Sequence, residues 1–260
     1  MAGKWIPGVV GASLLALCAA PLCAADYVTI PAGSLTSVLS GGSSKNLPVS
    51  VARFAMRSTP VTVAEFFAFT ERHPEWQRGA APAVFADGSY LYAYGDPAQR
   101  RADAQRPVTS VSWFAAQAYC ESEQARLPTW YEWEYVAAAD ATEADARHKP
   151  LWRARILAWY SQASSKAPAL VGGAPNFYGA RDLHGLIWEW VDDFGALLVS
   201  ADSRNQGDPE QLQYCGAGAI SLQDRDNYAI LMRIALLSSL NAADTTNSLG
   251  FRCAKPLGEK

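Results

Sequence analysis

Three short helix starts, each with its own cap and separated by long turn-rich stretches, constrain the fold of this 260-residue chain more than any other feature. In STPVTVAEFFAFTERHPEW (58–76), Thr62 stands three residues before Glu65. That spacing lets each side chain bond the other's free backbone amide at a helix start, and His73-Pro74 closes the helix. Ser112 caps a second helix in VSWFAAQAYCESEQ (111–124), with Trp113, Ala116 and Cys120 on one face. Thr129 and Glu132 repeat the capping box in LPTWYEWEYVAAA (127–139). Residues 26–50 read as strand, turn and strand, broken by PAG and SGGSSKN. Residues 76–106 read as loop, and the chain beyond about Arg155 reads as loops and short strands. Low helix content, many turns and nine tryptophans together imply a compact α+β domain with much irregular structure.

The first 26 residues, MAGKWIPGVVGASLLALCAAPLCAAD, carry one lysine, an apolar run and then small residues. This is the layout of a signal peptide cleaved after Ala25, which places the domain at 26–260 and in the periplasm or outside the cell. Pro7 and Pro21 bracket too few apolar residues for a membrane span, which needs about 20. Lipidation at Cys18 or Cys23 lacks a clean motif. The net charge is −3, or −4 without residues 1–25, and no basic cluster suits nucleic acid. No later segment reads as a membrane span.

Cys120, Cys215 and Cys253 remain after cleavage, and in an oxidising compartment an odd count leaves one thiol over. Cys215 sits in QYCGAGAIS among two glycines and two alanines, small residues that allow close backbone approach. Taken by itself it reads equally as a reactive centre, a metal ligand, half of a disulfide or a small buried hydrophobe.

Three segments together, PVTSVSWFAAQAYCESEQARLPTWYEWEYVAAA (107–139), NFYGARDLHGLIWEWVDDF (176–194) and NSLGFRC (247–253), resemble the formylglycine-generating enzyme family, the sulfatase-modifying factor domain. YVTIPAG (27–33) and FAMRSTPVTVAEFFAF (54–69) add to the resemblance, which covers essentially the whole mature chain. It implies a single domain with that family's variant of the C-type-lectin fold, α+β with little regular structure. It also implies a disulfide between Cys120 and Cys253, which leaves Cys215 unpaired. A second family bridge falls at Ala137 and Ile234, so both halves are missing together.

The sequence departs from the family at its catalytic segment. Counted back from GFRC, the two cysteines that bind copper(I) in the aerobic enzymes fall at Asp224 and Ala229, and neither supplies a thiolate. Standard sulfatase activation is therefore not expected. Calcium is not expected either. Leu186 replaces the asparagine of the family's GNxWEW motif, and WYSQASSKAPALVGG (159–173) has no acid where the family has an acidic loop. His73, His148 and His184 do not suit the three-histidine iron site of the sulfoxide-synthase branch, and His184 in its DLHG turn reads as structural. The Trp188–Glu189–Trp190 triplet reads as core tryptophans around a structural carboxylate.

What can do chemistry is Cys215 with Asp224 and Asp226. A thiolate and two carboxylates suit copper, iron or proton transfer, although the plainer reading is a charged turn leading into a buried helix or strand at Ala229–Leu240. Tyr90, Tyr92 and Tyr94 alternate as in an edge strand or an aromatic ligand wall. Two functions follow. One is an atypical oxidoreductase or maturation factor acting on an exported protein, a metallocentre or a secreted metabolite, as in family members that serve siderophore maturation. The other is a non-catalytic binding or assembly factor for an exported metalloenzyme.

Overall fold

The structure, a computed structural model, describes residues 25–37, 48–160, 167–197 and 228–258. Most of the proposed leader and the three candidate catalytic residues Cys215, Asp224 and Asp226 lie outside the described residues.

The three capped helices form where the local signals place them. α1 (Val63–Arg72) begins at Thr62, whose hydroxyl accepts the Glu65 amide while the Glu65 carboxylate accepts the Thr62 amide. Its inner face buries Val63, Phe66 and Phe69. α3 (Trp113–Ser122) starts at Ser112, and α4 (Trp130–Ala137) at the reciprocal Thr129–Glu132 pair. α2 (Pro97–Ala102) lies in a stretch that reads as loop; Asp96 caps it, with proline at its first position.

Two further helices follow, the first largely where the sequence suggests loops and short strands and the second where its apolar run suits a buried helix or strand. α5 (Pro150–Tyr160) starts on proline and buries Trp152 and Ile156, one turn apart, against Ala146. α6 (Tyr228–Ser238) turns the apolar run 229–240 into a helix that buries Ile230, Arg233, Ile234 and Leu237. The alternating tyrosines are not a strand. Leu91 takes a left-handed conformation (φ 52°), and residues 92–94 form a single tight helical turn. Tyr90 and Tyr94 are buried, Tyr90 donating to the Trp76 carbonyl, while Tyr92 is exposed under the Arg78 guanidinium.

The strands are short. β1 (Tyr27–Ile30), β4 (Phe54–Arg57) and β7 (Ala254–Pro256) form an antiparallel sheet in the order β1-β4-β7, and β2 (Gly33–Thr36) pairs with β3 (Pro48–Val51). β5 (Trp188–Glu189) and β6 (Leu249–Gly250) make a two-residue parallel pair. Glycine is required in β6, because a Cβ at Gly250 would sit 2.2 Å from the Val108 carbonyl oxygen. One continuous core joins α1, α3, α4, the sheet and β6, and the Cys120–Cys253 disulfide ties α3 to the segment before β7 across 133 residues. Ala137 and Ile234, the pair standing where the family has a second bridge, are both buried. This is an α+β domain with little regular structure and, among the described residues, no closed barrel.

Candidate functional site

The β5–β6 pair sets Glu189 beside Gly250, and two residues on from Gly250 the chain turns Arg252 back towards Glu189. Arg252 grips both carboxylate oxygens, Nε to Oε2 at 2.8 Å and Nη2 to Oε1 at 2.7 Å, and both residues are completely buried. Trp133 of α4 donates its indole N–H to Oε2 at 2.8 Å. The remaining Arg252 donors go to the carbonyls of Arg57, Ser58 and Arg181, so the fork is held on every side.

A second buried cation joins this centre from α6. Arg233 donates to the Glu189 carbonyl, and its guanidinium carbon lies 3.6 Å from the centre of the Trp133 ring. Burial pulls its pKa down to about 10, because the interior disfavours the charged form. Two buried guanidiniums thus meet one glutamate, Arg252 at its carboxylate and Arg233 at its backbone carbonyl, and the Trp133 π-face supplies part of the compensation for Arg233. Trp190 donates to the Val111 carbonyl and Trp113 to the Val191 carbonyl, which pins the strand to the loop before α3 and to α3 itself. Trp188 is only partly buried and lies tilted against Trp159 and Tyr160 of α5, with ring centres 5.5 and 4.7 Å away.

Asp193 follows the same strand. It accepts the first amide of α4, from Trp130, at 2.7 Å. Burial raises its pKa to about 6 despite that hydrogen bond, with Asp192 and Glu132 adding repulsion. Glu132 itself is forked by Arg126 at 2.6 Å on each oxygen.

Glu189 thus sits among core tryptophans with its oxygens committed to Arg252 and Trp133. Chemically, this centre is electropositive, and among the described residues it contains no thiol and no uncommitted carboxylate. Among the described residues no group of three or more His, Cys, Asp or Glu side chains is placed to hold a metal ion. Asp224 and Ala229, which the resemblance sets at the family's two copper-thiolate positions, cannot provide thiolates. Leu186 offers no oxygen to calcium beyond its backbone. His184 packs edge-on between Trp133 and Trp152, both 5.5 Å away, and its Nε2 bonds the Ala137 carbonyl at 3.0 Å. Sequence reasoning missed Arg233 and Trp133 as parts of the centre. The local signal for Arg233 is an arginine inside an otherwise apolar run.

Among curated proteins, the chain is 30% identical over 168 residues to a formylglycine-generating enzyme of Streptomyces coelicolor, covering 57% of this chain and 52% of that protein. It is 31% identical over 163 residues to a hercynine oxygenase of Mycolicibacterium smegmatis, covering 55% of this chain and 38% of that protein. It is also 27% identical over 168 residues to an inactive formylglycine-generating enzyme of Bos taurus, covering 58% and 51%. The matched segment spans about half or less of each of these relatives. Among solved structures, PvdO from Pseudomonas aeruginosa aligns over 89% of this chain and 94% of its own, at 18% identity and a TM-score of 0.48. The model of the sulfatase-modifying factor enzyme 1-like domain matches residues 18–257, nearly the whole chain, and the protein belongs to that family.

Proposed function

We propose that this chain is an exported maturation factor of the sulfatase-modifying factor family that acts on another exported protein, its metallocentre or a secreted metabolite, without the family's two-thiolate copper chemistry. One observation carries the reading: the frame of Glu189, Arg252 and the Cys120–Cys253 bridge is intact, while Asp224 and Ala229, where the resemblance sets the family's copper thiolates, offer no thiol. The frame serves recognition, and any catalysis falls to Cys215 with Asp224 and Asp226 as an atypical oxidoreductase site. The saturated pairing of the described centre favours a second reading, a non-catalytic binding or assembly factor.

Given copper, dioxygen and a peptide carrying a sulfatase-type cysteine motif, the protein is expected to form no formylglycine; aldehyde formation overturns the proposal. Metal content then separates its two forms. Wild type and Cys215→Ala are purified from a periplasm grown with added copper and iron. A stoichiometric metal in wild type that is lost in the variant places chemistry at Cys215. Metal-free proteins of equal stability favour the binding role.

A further inference from the structure

A cavity of about 360 Å³ opens between α5, the end of α4 and the loop 173–185. That volume lies within the range of small-molecule sites. Its wall is mostly apolar, built from Trp152, Ile156 and Trp159 of α5 together with Ala137, Pro175 and Leu183.

The titratable side chains of the lining are Asp140, Arg155, Asp182 and His184. Two of them add no net charge. Asp140 forms an ion pair with Lys149 at 2.7 Å. Burial pulls the His184 pKa down to about 4, so its ring is neutral. The other two are not offset. Asp182 accepts the amides of Gly172 and Gly173 at 2.7 and 3.0 Å, and neutral donors hold a carboxylate without cancelling its charge. The loop is shaped around this carboxylate. Asp182 is left-handed (φ 62°), and a Cβ at Gly173 would stand 2.5 Å from its Oδ1. The adjacent Arg181 donates Nη1 to the Gly173 carbonyl and is not part of the lining. Arg155 is exposed on α5. Among the described residues neither Arg155 nor Asp182 forms an ion pair, with the other or with a third residue.

One cation and one anion therefore share a mostly apolar cavity, farther apart than an ion pair. A simple anion placed there meets the charge of Asp182, and a simple cation meets that of Arg155. An occupant carrying both signs satisfies the two together, with its apolar part on the tryptophan wall.

We infer that this cavity binds a small zwitterion of the amino-acid or short-peptide class, its ammonium beside Asp182 and its carboxylate beside Arg155. The inference rests on none of Cys215, Asp224 and Asp226, and its test reads binding without metal or turnover. The full chain is titrated with L-leucine, L-alanyl-L-leucine and 6-aminohexanoate, which carry the two charges at different separations. The readout is the indole N–H resonance of Trp159, assigned with Trp159→Phe. At least one zwitterion is expected to shift it saturably. The N-acetylated form of that binder lacks the ammonium, and its amide lacks the carboxylate. Each should bind about fivefold more weakly, the upper scale of an exposed ion pair. Asp182→Asn keeps an oxygen for the glycine amides and a residue that tolerates left-handed backbone. It should weaken the zwitterion by the same factor and leave the N-acetylated form unchanged. Arg155→Ala should weaken the zwitterion likewise and spare the amide. Binding of leucine alone assigns the site to a free amino acid, and binding of the dipeptide alone to a short peptide. No saturable shift with any of the three in the tens of millimolar overturns the inference. Capped forms that bind as tightly as the zwitterion overturn the two-charge match, as does binding indifferent to both substitutions.

Discussion

Arg252 and Glu189 face each other through two parallel hydrogen bonds, 2.7 and 2.8 Å long, with no solvent exposure on either side. Such a pair is costly to break from one side, because the survivor becomes an uncompensated buried charge. Here the cost is aggravated, since Arg233 is a second buried cation against the same residue. Glu189→Gln keeps the shape and removes the charge. It is expected to destabilise the fold by about 3–5 kcal/mol, read as a drop in the urea midpoint at unchanged slope.

The Cys120–Cys253 bond closes a loop of 133 residues, and both cysteines are fully buried. Under the chain-entropy model, a loop of that size stabilises by about 5 kcal/mol. The double variant Cys120→Ala/Cys253→Ala is expected to lose a stability of that order in equilibrium unfolding. Because the bond is inaccessible in the folded state, reduction of the native protein by dithiothreitol should track the unfolding rate, followed by thiol labelling.

Much of the frame was legible in the sequence because its signals are local. Thr62 with Glu65, Ser112, and Thr129 with Glu132 declare helix starts within four residues, and the structure has helices at each. α5 was missed although Pro150, Trp152 and Ile156 carry a start and a buried face, because the turn-rich segment after it dominated the reading. The tyrosines at 90–94 have strand alternation, yet a left-handed Leu91 folds them into a turn in which Tyr90 donates to the distant Trp76 carbonyl. The family motifs marked Glu189 and Arg252. The place of Arg233 over Trp133, and the meeting of Trp152 with His184, depend on how α5 and α6 dock, which no local pattern encodes.

The caps can be tested directly. Thr129 is small, sits at the start of α4 and accepts the Glu132 amide, while Glu132 is also held by Arg126. Thr129→Ala removes one half of the box and is expected to cost about 1 kcal/mol. Thr129→Ser should restore most of it, which separates the hydroxyl from the lost methyl packing. Chemical denaturation of the two variants side by side measures the difference.

The response to acid contains two opposing terms from groups near the two ends of α4. Burial lowers the His184 pKa to about 4, against about 6.5 in the unfolded chain. Between those values the unfolded state binds the extra proton, so this term makes stability rise with pH, and it is lost as pH falls from about 6.5 towards 4. The shift corresponds to up to about 3 kcal/mol. Asp193 acts in the other direction. Burial raises its pKa to about 6, above the unfolded value of about 3.9, so the folded state binds the extra proton and stability falls as pH rises through that window. Wild type should therefore change little between pH 4 and 6, where the two slopes offset each other. His184→Gln, which keeps a donor for the Ala137 carbonyl, should expose the Asp193 slope and make the protein relatively more stable in acid. Asp193→Asn should expose the His184 slope and make acid loss steeper. Unfolding free energies of the three proteins at intervals from pH 4 to 7 test both signs, and parallel curves would show that neither group titrates as its burial requires.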